Sequence, residues 1–422
     1  MGRPDHPTAG GRTSPRQIDK CLPDPPRPLP ASDKFPIFHA MFTKHPLLAE
    51  LLIALVLLLA ISVPVLSWGY GGDPDAWSVA RSSQSFWESG RYTSSRLPGY
   101  PLHELLNAPL VGMGGCVASN AGTLLITVAL ALVWRRIAVR EGRHPRWLFF
   151  SLALAPLVLP NASVTMDYLW SLVCVVAAVD AALRKRALVA GVLAGCAAGF
   201  RPSNLSMALP LMAILWTQGT SKRPLFVFAV TTAVTFLTAF LPVLITSGGP
   251  IDWLIATRIQ MSDVHPAFGD RIIDFSYRLV YALGPGAFMT GGFILIRRKT
   301  VVVDHLRQRD PILVAASVAI PVALIQFFLL PLDRAYLLPL IPFLLLAIDR
   351  VASGKEMVML TFMIVSLNIL NPDIVVHMGK KSIPGLNIHD GRILESWKER
   401  KERMDLERLR VLRDREISRS FR

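Results

Sequence analysis

Cysteine is nearly absent from this chain. Its four copies among 422 residues, Cys21, Cys116, Cys174 and Cys196, lie far apart without C-x-x-C spacing. That excludes a disulfide framework or a thiolate metal site, and Cys174 and Cys196, inside apolar runs, read as packing residues. Acids are also scarce, 30 Asp and Glu against 45 Lys and Arg, giving a formal charge of +15. The basic residues fall in alternate short connections and at the two ends, which is the positive-inside pattern and not a nucleic-acid patch. No cleavable signal peptide is expected, because the first apolar stretch begins near His45 and outruns the roughly 7–15 residues of a signal core. The start MGRPDH lacks the Ser or Thr at the sixth position that myristoylation uses.

What is present in quantity is apolar side chains. They make up 52% of the chain, with mean hydropathy +0.43, beyond the roughly 45–50% of soluble domains. They come in blocks separated by short charged connections, the pattern of an all-α polytopic membrane protein. We place spans near 46–68, 118–134, 147–160, 167–183, 187–200, 204–217, 225–246, 276–296, 311–331, 335–349 and 356–371, about eleven crossings. Residues 1–45, crowded with Pro, Gly and charge, are expected to form a disordered cytoplasmic tail. Residues 46–371 form the membrane domain, and 372–422 a charged, helical tail.

With the N-terminus inside, the basic connections RRIAVREGRHPR (135–146), RKR (184–186), SKRP (221–224) and RRK (297–299) all face the cytoplasm. The outer segments are then 69–117, 161–166, 247–275 and the turn near 332–335, and chemistry is sought there. The stretch 187–200 and 204–217 reads as a hairpin of short helices with Arg201 at its outer apex. The tail's side is left open: an odd number of crossings puts it outside, whereas its Lys and Arg favour the cytoplasm.

The first outer loop opens with GDPDAWSVARSS, where Asp73 and Asp75 stand just beyond the first span. Asp-Pro opens turns, but a loop of roughly forty residues with a helix-like segment of its own is usually functional. Asp167 heads a span at the next outer loop, where an acid also fits a helix N-terminus. Arg201, in GFRPSNL after the small-residue run GVLAGCAAG, puts a guanidinium at membrane depth, which ordinarily marks a partner or substrate. The sequon at Asn161 lies too near the membrane to be read as a glycan site.

Asp75 followed by Ala80, then G-R-Y, S-R and P-G-Y-P, then Gly-Phe-Arg-Pro at 199–202, then RAYLLPLIP with Tyr336, Pro339 and Pro342, resembles the GT-C glycosyltransferases. These are integral-membrane enzymes that use polyprenyl-phosphate sugars, among them protein O-mannosyltransferases and lipid A aminoarabinose transferases. The resemblance covers about residues 46–350. It implies a glycosyltransferase with Asp75 and Asp167 as catalytic acids, Asp75 being the general base of an inverting displacement. It also implies that Asp73, Arg96, Arg201, Arg334 and Tyr336 bind substrate, the arginines meeting the lipid phosphate. The sequence departs from the family in having Ala76 where several members have Glu, and Arg334 is displaced by one residue. No cofactor is required, although D-x-D admits a divalent ion. The expected partners are a polyprenyl-phosphate-linked sugar donor, an unidentified acceptor and membrane lipid, and the expected location is a cell membrane, with a lean toward the bacterial plasma membrane. The alternatives are a multi-pass transporter, against which no inverted repeat or matching pair of broken helices is found, and a noncatalytic scaffold.

Overall fold

The computed structural model describes residues 46–219, 221–264, 268–329, 334–375, 385–390 and 392–420. The expected 1–45 tail and Cys21 lie outside these. The described residues form sixteen α-helices, which in chain order begin with α1 Pro46–Ser62, α2 Pro74–Ser89, α3 Pro101–Glu141, α4 Pro145–Ala153, α5 Tyr168–Leu183, α6 Ala187–Phe200, α7 Ala208–Thr217 and α8 Arg223–Thr246. The series continues with α9 Pro250–Val264, α10 Phe268–Leu283, α11 Pro285–Arg297, α12 Lys299–Arg307, α13 Pro311–Leu329, α14 Leu340–Val351 and α15 Gly354–Ser366. An antiparallel ribbon follows, β1 Leu370–Val375 with β2 Gly385–Asp390, and then α16, Arg392–Ser420. The ribbon is a departure from an all-α chain.

Among the described residues four helices are long and apolar enough to cross a membrane, at 48–65, 101–141, 223–246 and 311–329, or five if the bent α10–α11 pair is one span. Several expected spans take another form. The stretch 276–296 is broken by an 86° bend between α10 and α11. Gly284, at φ 91°, and Pro285, which has no N–H to donate, stop one helix and start the next. The stretch 147–160 is helical only to Ala153, and the described part of 247–275 holds α9 and the start of α10 where a loop was expected. The segment expected as the first outer loop ends early, since α3 begins at Pro101 and is broken at Gly115 (φ 57°, ψ −141°) into a first limb and the expected span.

At 14 residues, α6 is about 21 Å long, short of the ~30 Å of a bilayer core. Its glycines let it lie against α8. A Cβ at Gly191 would fall 1.9 Å from Thr231 Oγ1, one at Gly195 2.5 Å from Thr235 Cβ, and one at Gly199 2.7 Å from Ala239 Cβ. This four-residue glycine spacing makes one flat stripe for close backbone approach, and it delivers Arg201 at the helix end.

The basic connections gather at one end of the helices. Asp180 receives Arg136, Arg140 and Arg184, Asp349 accepts the backbone N–H groups of Arg143 and His144, and Glu141 meets Arg350. Ser353 and Glu356 form a capping box on α15, and Glu356 also pairs with Arg298. The other end, where α5 begins at Asp167 and α6 finishes at Arg201, carries the candidate site.

Candidate active site

The turn before α2 explains the spacing of the two aspartates. Asp73 is the N-cap, its carboxylate accepting the Asp75 N–H at 2.8 Å, and Pro74 occupies the first helical position. Asp75 is thereby fixed in the first turn, with its side chain 45% exposed. Trp77 donates from Nε1 to the Gly71 carbonyl at 2.9 Å and fastens the turn from inside.

The segment between α2 and α3 is held by an acid that the sequence reading missed. Glu104, buried in the first turn of α3, accepts from the Ser95 N–H at 2.8 Å and from the Tyr92 hydroxyl, while its backbone carbonyl accepts from Ser83. Burial and the Glu104 charge push the Tyr92 phenol up from its ordinary value, so it remains a donor. Arg96 is carried inward on this segment.

Four charged side chains then form a line. Arg96 Nη1 stands 2.5 Å from Asp75 Oδ2, Arg96 Nη2 3.3 Å from Asp167 Oδ1, and Arg201 Nη1 2.9 Å from Asp167 Oδ2. Exposure falls along it, from Asp75 to the fully buried Asp167 and the nearly buried Arg201. Aromatic faces flank the cations: Arg96 lies 4.3 Å from the Tyr100 ring, and Arg201 is clasped by Tyr168 and Tyr336, each at 4.4 Å. Stacking of this kind stabilises a desolvated guanidinium. Burial pushes the Tyr100 phenol up to about 12, with the Arg96 charge acting against it, so Tyr100 is neutral at ordinary pH.

Of the residues singled out in the sequence, Asp75, Arg96, Asp167, Arg201 and Tyr336 come together, and Asp73 stands beside them as the cap. Asp167 does not cap α5 through its side chain. Both its oxygens are engaged by arginine, so it orients Arg96 and Arg201 and has no open approach to a substrate. Arg334 goes elsewhere. It lines a separate polar pocket of about 420 Å³ with Asp274, Arg278, Arg392, Glu395 and Glu399. Arg201 is buried at the end of α6, and its Nε has no hydrogen-bond partner among the described residues.

His103 was also missed. It is fully buried, neither ring nitrogen has a hydrogen-bond partner among the described residues, and its ring meets Trp170 edge-on at 5.6 Å. Behind Arg201 an apolar groove of about 860 Å³ opens between α7, α8 and α13, starting at Pro202 and Ser203 and running past Leu209, Phe236 and Leu329. Among the described residues no three His, Cys, Asp or Glu side chains converge as a metal site would require.

The charged tail, expected as a helix, is part of this end. Arg400 of α16 is 2% exposed and donates to the carbonyls of Trp68 (3.2 Å), Gly69 (2.8 Å) and Ser163 (2.7 Å), and to Ser163 Oγ (3.2 Å). Burial brings its pKa down to about 10, which still leaves it charged at neutral pH. Trp397 meets Trp68 edge-on at 6.0 Å, Arg403 donates to the Gly72 carbonyl, and Glu407 lies 3.5 Å from Arg81. The start of α16 is therefore on the side of the first outer loop.

Compared with known protein families, curated proteins and solved structures, the chain matches none.

Proposed function

We propose that the chain is a polytopic membrane glycosyltransferase of GT-C type, with about eleven membrane crossings or partial crossings, acting at the extracytoplasmic face on a polyprenyl-phosphate sugar. The observation that carries this reading is the line Asp75–Arg96–Asp167–Arg201, which begins at a half-exposed carboxylate and ends one residue from the apolar groove. An anionic head with a long lipid matches that order of surfaces. The groove takes the isoprenoid chain, Arg96 and Arg201 face the phosphate, and Asp75 faces the acceptor.

The reaction is a single displacement. The acceptor oxygen or nitrogen bonds to the anomeric carbon as the bond from that carbon to the phosphate oxygen breaks. The acceptor's proton passes to Asp75, and the electron pair leaves with the lipid phosphate, whose charge the arginines stabilise. Arg96 is shared, since the nitrogen it offers Asp75 in the resting protein is the one a phosphate oxygen would claim. Donor binding then frees the carboxylate for its work as base. Asp167 keeps both guanidinium groups in place throughout.

A second reading, transport, draws on the 86° break between α10 and α11, because interrupted helices line substrate paths in transporters. The test separates the two. Purified protein is mixed with a panel of polyprenyl-phosphate sugars, and released lipid phosphate is measured. Release supports the transferase, and a complete absence of release across the panel, with substrate uptake into vesicles, supports the transporter.

A further inference from the structure

The pocket containing Arg334 is separate from the ion-pair line but is joined to it through α16. Its floor is the turn at Pro156–Asn161, one wall is Asp274, Tyr277 and Arg278 of α10, and the opposite wall is Arg392, Glu395, Ser396 and Glu399 of α16. Three arginines face three carboxylates, so the pocket has no dominant sign. That argues against a strongly anionic occupant, and the polar lining argues against a lipid tail.

Balanced donors and acceptors next to an aromatic ring suit a ligand with many hydroxyl groups, each able to give and receive a hydrogen bond. Arg334 Nη1 is buried without a hydrogen-bond partner among the described residues, a donor held ready inside the pocket. Tyr277 is 36% exposed and offers a ring face. Glu399 connects the pocket with the aspartate turn. Although it keeps solvent contact, the protein packed around it pushes its carboxyl above the ordinary range, Glu395 and Asp73 acting the same way and Arg334 against.

The wall formed by α16 is firmly seated. Gly72, next to Asp73, approaches it so closely that an added Cβ would lie 2.9 Å from Glu399 Cβ and 3.2 Å from the Arg400 backbone nitrogen. One residue further along, Arg400 binds the carbonyls of Gly69, just before that turn, and of Ser163, on the segment that leads into α5. The helix thus fixes the aspartate turn and closes the pocket with the same few residues.

We propose that the α16 pocket is the acceptor site, receiving a polyhydroxylated, uncharged group of a glycan next to the turn that carries Asp73, with Arg400 the residue that holds this wall in place. The assignment of the bound group as acceptor rests on the transferase reading; the pocket and its ligand class do not.

The experiment uses the full chain in detergent with its native cysteines replaced. Oxidation of the pair Gly72→Cys and Glu399→Cys should give an intramolecular cross-link, and failure to form it overturns the seating of the helix. Saturation-transfer NMR then tests neutral tri- to hexasaccharides, with inorganic phosphate as the rival probe. Signal is expected for at least one saccharide, is lost in Ser396→Trp, which fills the pocket, and is kept in Asp75→Asn. Saccharide binding that survives Ser396→Trp, or phosphate bound there in its place, overturns the proposal, as does silence from every saccharide in protein that keeps Glu399. Saccharide binding lost in Ser396→Trp, without lipid-phosphate release from any donor, upholds the site and removes the transferase reading.

Discussion

Asp167 and Arg201 form an ion pair of 2.9 Å in which the carboxylate is fully buried and the guanidinium nearly so. Residues 34 apart in the chain are thus coupled where α5 begins and α6 ends. Removing one member leaves the other charged and desolvated, which ordinarily costs about 3–5 kcal/mol. Arg201→Ala and Asp167→Ala are each expected to lower the unfolding midpoint of the detergent-solubilised protein markedly. The paired apolar replacement Asp167→Leu with Arg201→Met should recover much of the loss. Single variants as stable as the parent would mean that this pair does not organise the site.

Asp75 carries a different expectation, because it is half-exposed and is not needed to cap its helix. Asp75→Asn should leave stability unchanged and reduce turnover by about two to four powers of ten, with donor binding nearly kept. Asp73→Asn preserves the cap and should be mild, whereas Asp73→Ala removes it and should cost about 0.5–2 kcal/mol. A dead Asp73→Asn with an active Asp75→Asn would shift the base by two residues.

Orientation can be checked in intact cells with single cysteines and an impermeant reagent. Positions 91 and 402 should label, the first on the outer loop and the second on the helix seated against it, and position 140 should not. Labelling at 140 with protection at 91 reverses the assignment.

The glycine stripe on α6 gives a packing test. Gly195→Leu drives a side chain into Thr235 Cβ, 2.5 Å from even a first added carbon, and into the Thr232 carbonyl. Overpacking of this kind costs typically about 1–3 kcal/mol, and the displaced helix end should also weaken donor binding through Arg201. Thermal unfolding and donor titration read the two effects separately, and unchanged values in both would mean α6 and α8 have room to part.

Much of this was legible in the sequence, for physical reasons that differ by residue. Apolar blocks and Lys-rich or Arg-rich connections report helix positions and ends directly, since each follows from local composition. The convergence of Asp75, Arg96, Asp167 and Arg201 was suggested only by the family resemblance and by the side of the membrane expected for each. The break at Gly284 had a readable signal in the Gly-Pro pair, overlooked because the apolar content continues across it. Arg400 had none. It stands among the alternating charges ERKERMDLER as one cation among many, and only tertiary contact distinguishes the arginine that is buried from those in water. Glu104 was hidden likewise, an acid in a first helical turn whose role depends on a loop folding back over it.

The Arg400 contacts also set a schedule for the protein's biogenesis. Arg400 and Gly69 are 331 residues apart, and at translation rates of about 5–20 residues per second the ribosome needs on the order of tens of seconds to travel between them. During that interval the carbonyls of Trp68, Gly69 and Ser163 wait for their guanidinium donor, and the aspartate turn lacks the helix that steadies it. On the proposed topology the basic α16 segment must itself be moved across the bilayer after the last apolar helix has inserted. A nascent chain stalled before that transfer would hold every apolar helix and still have an unfinished outer face.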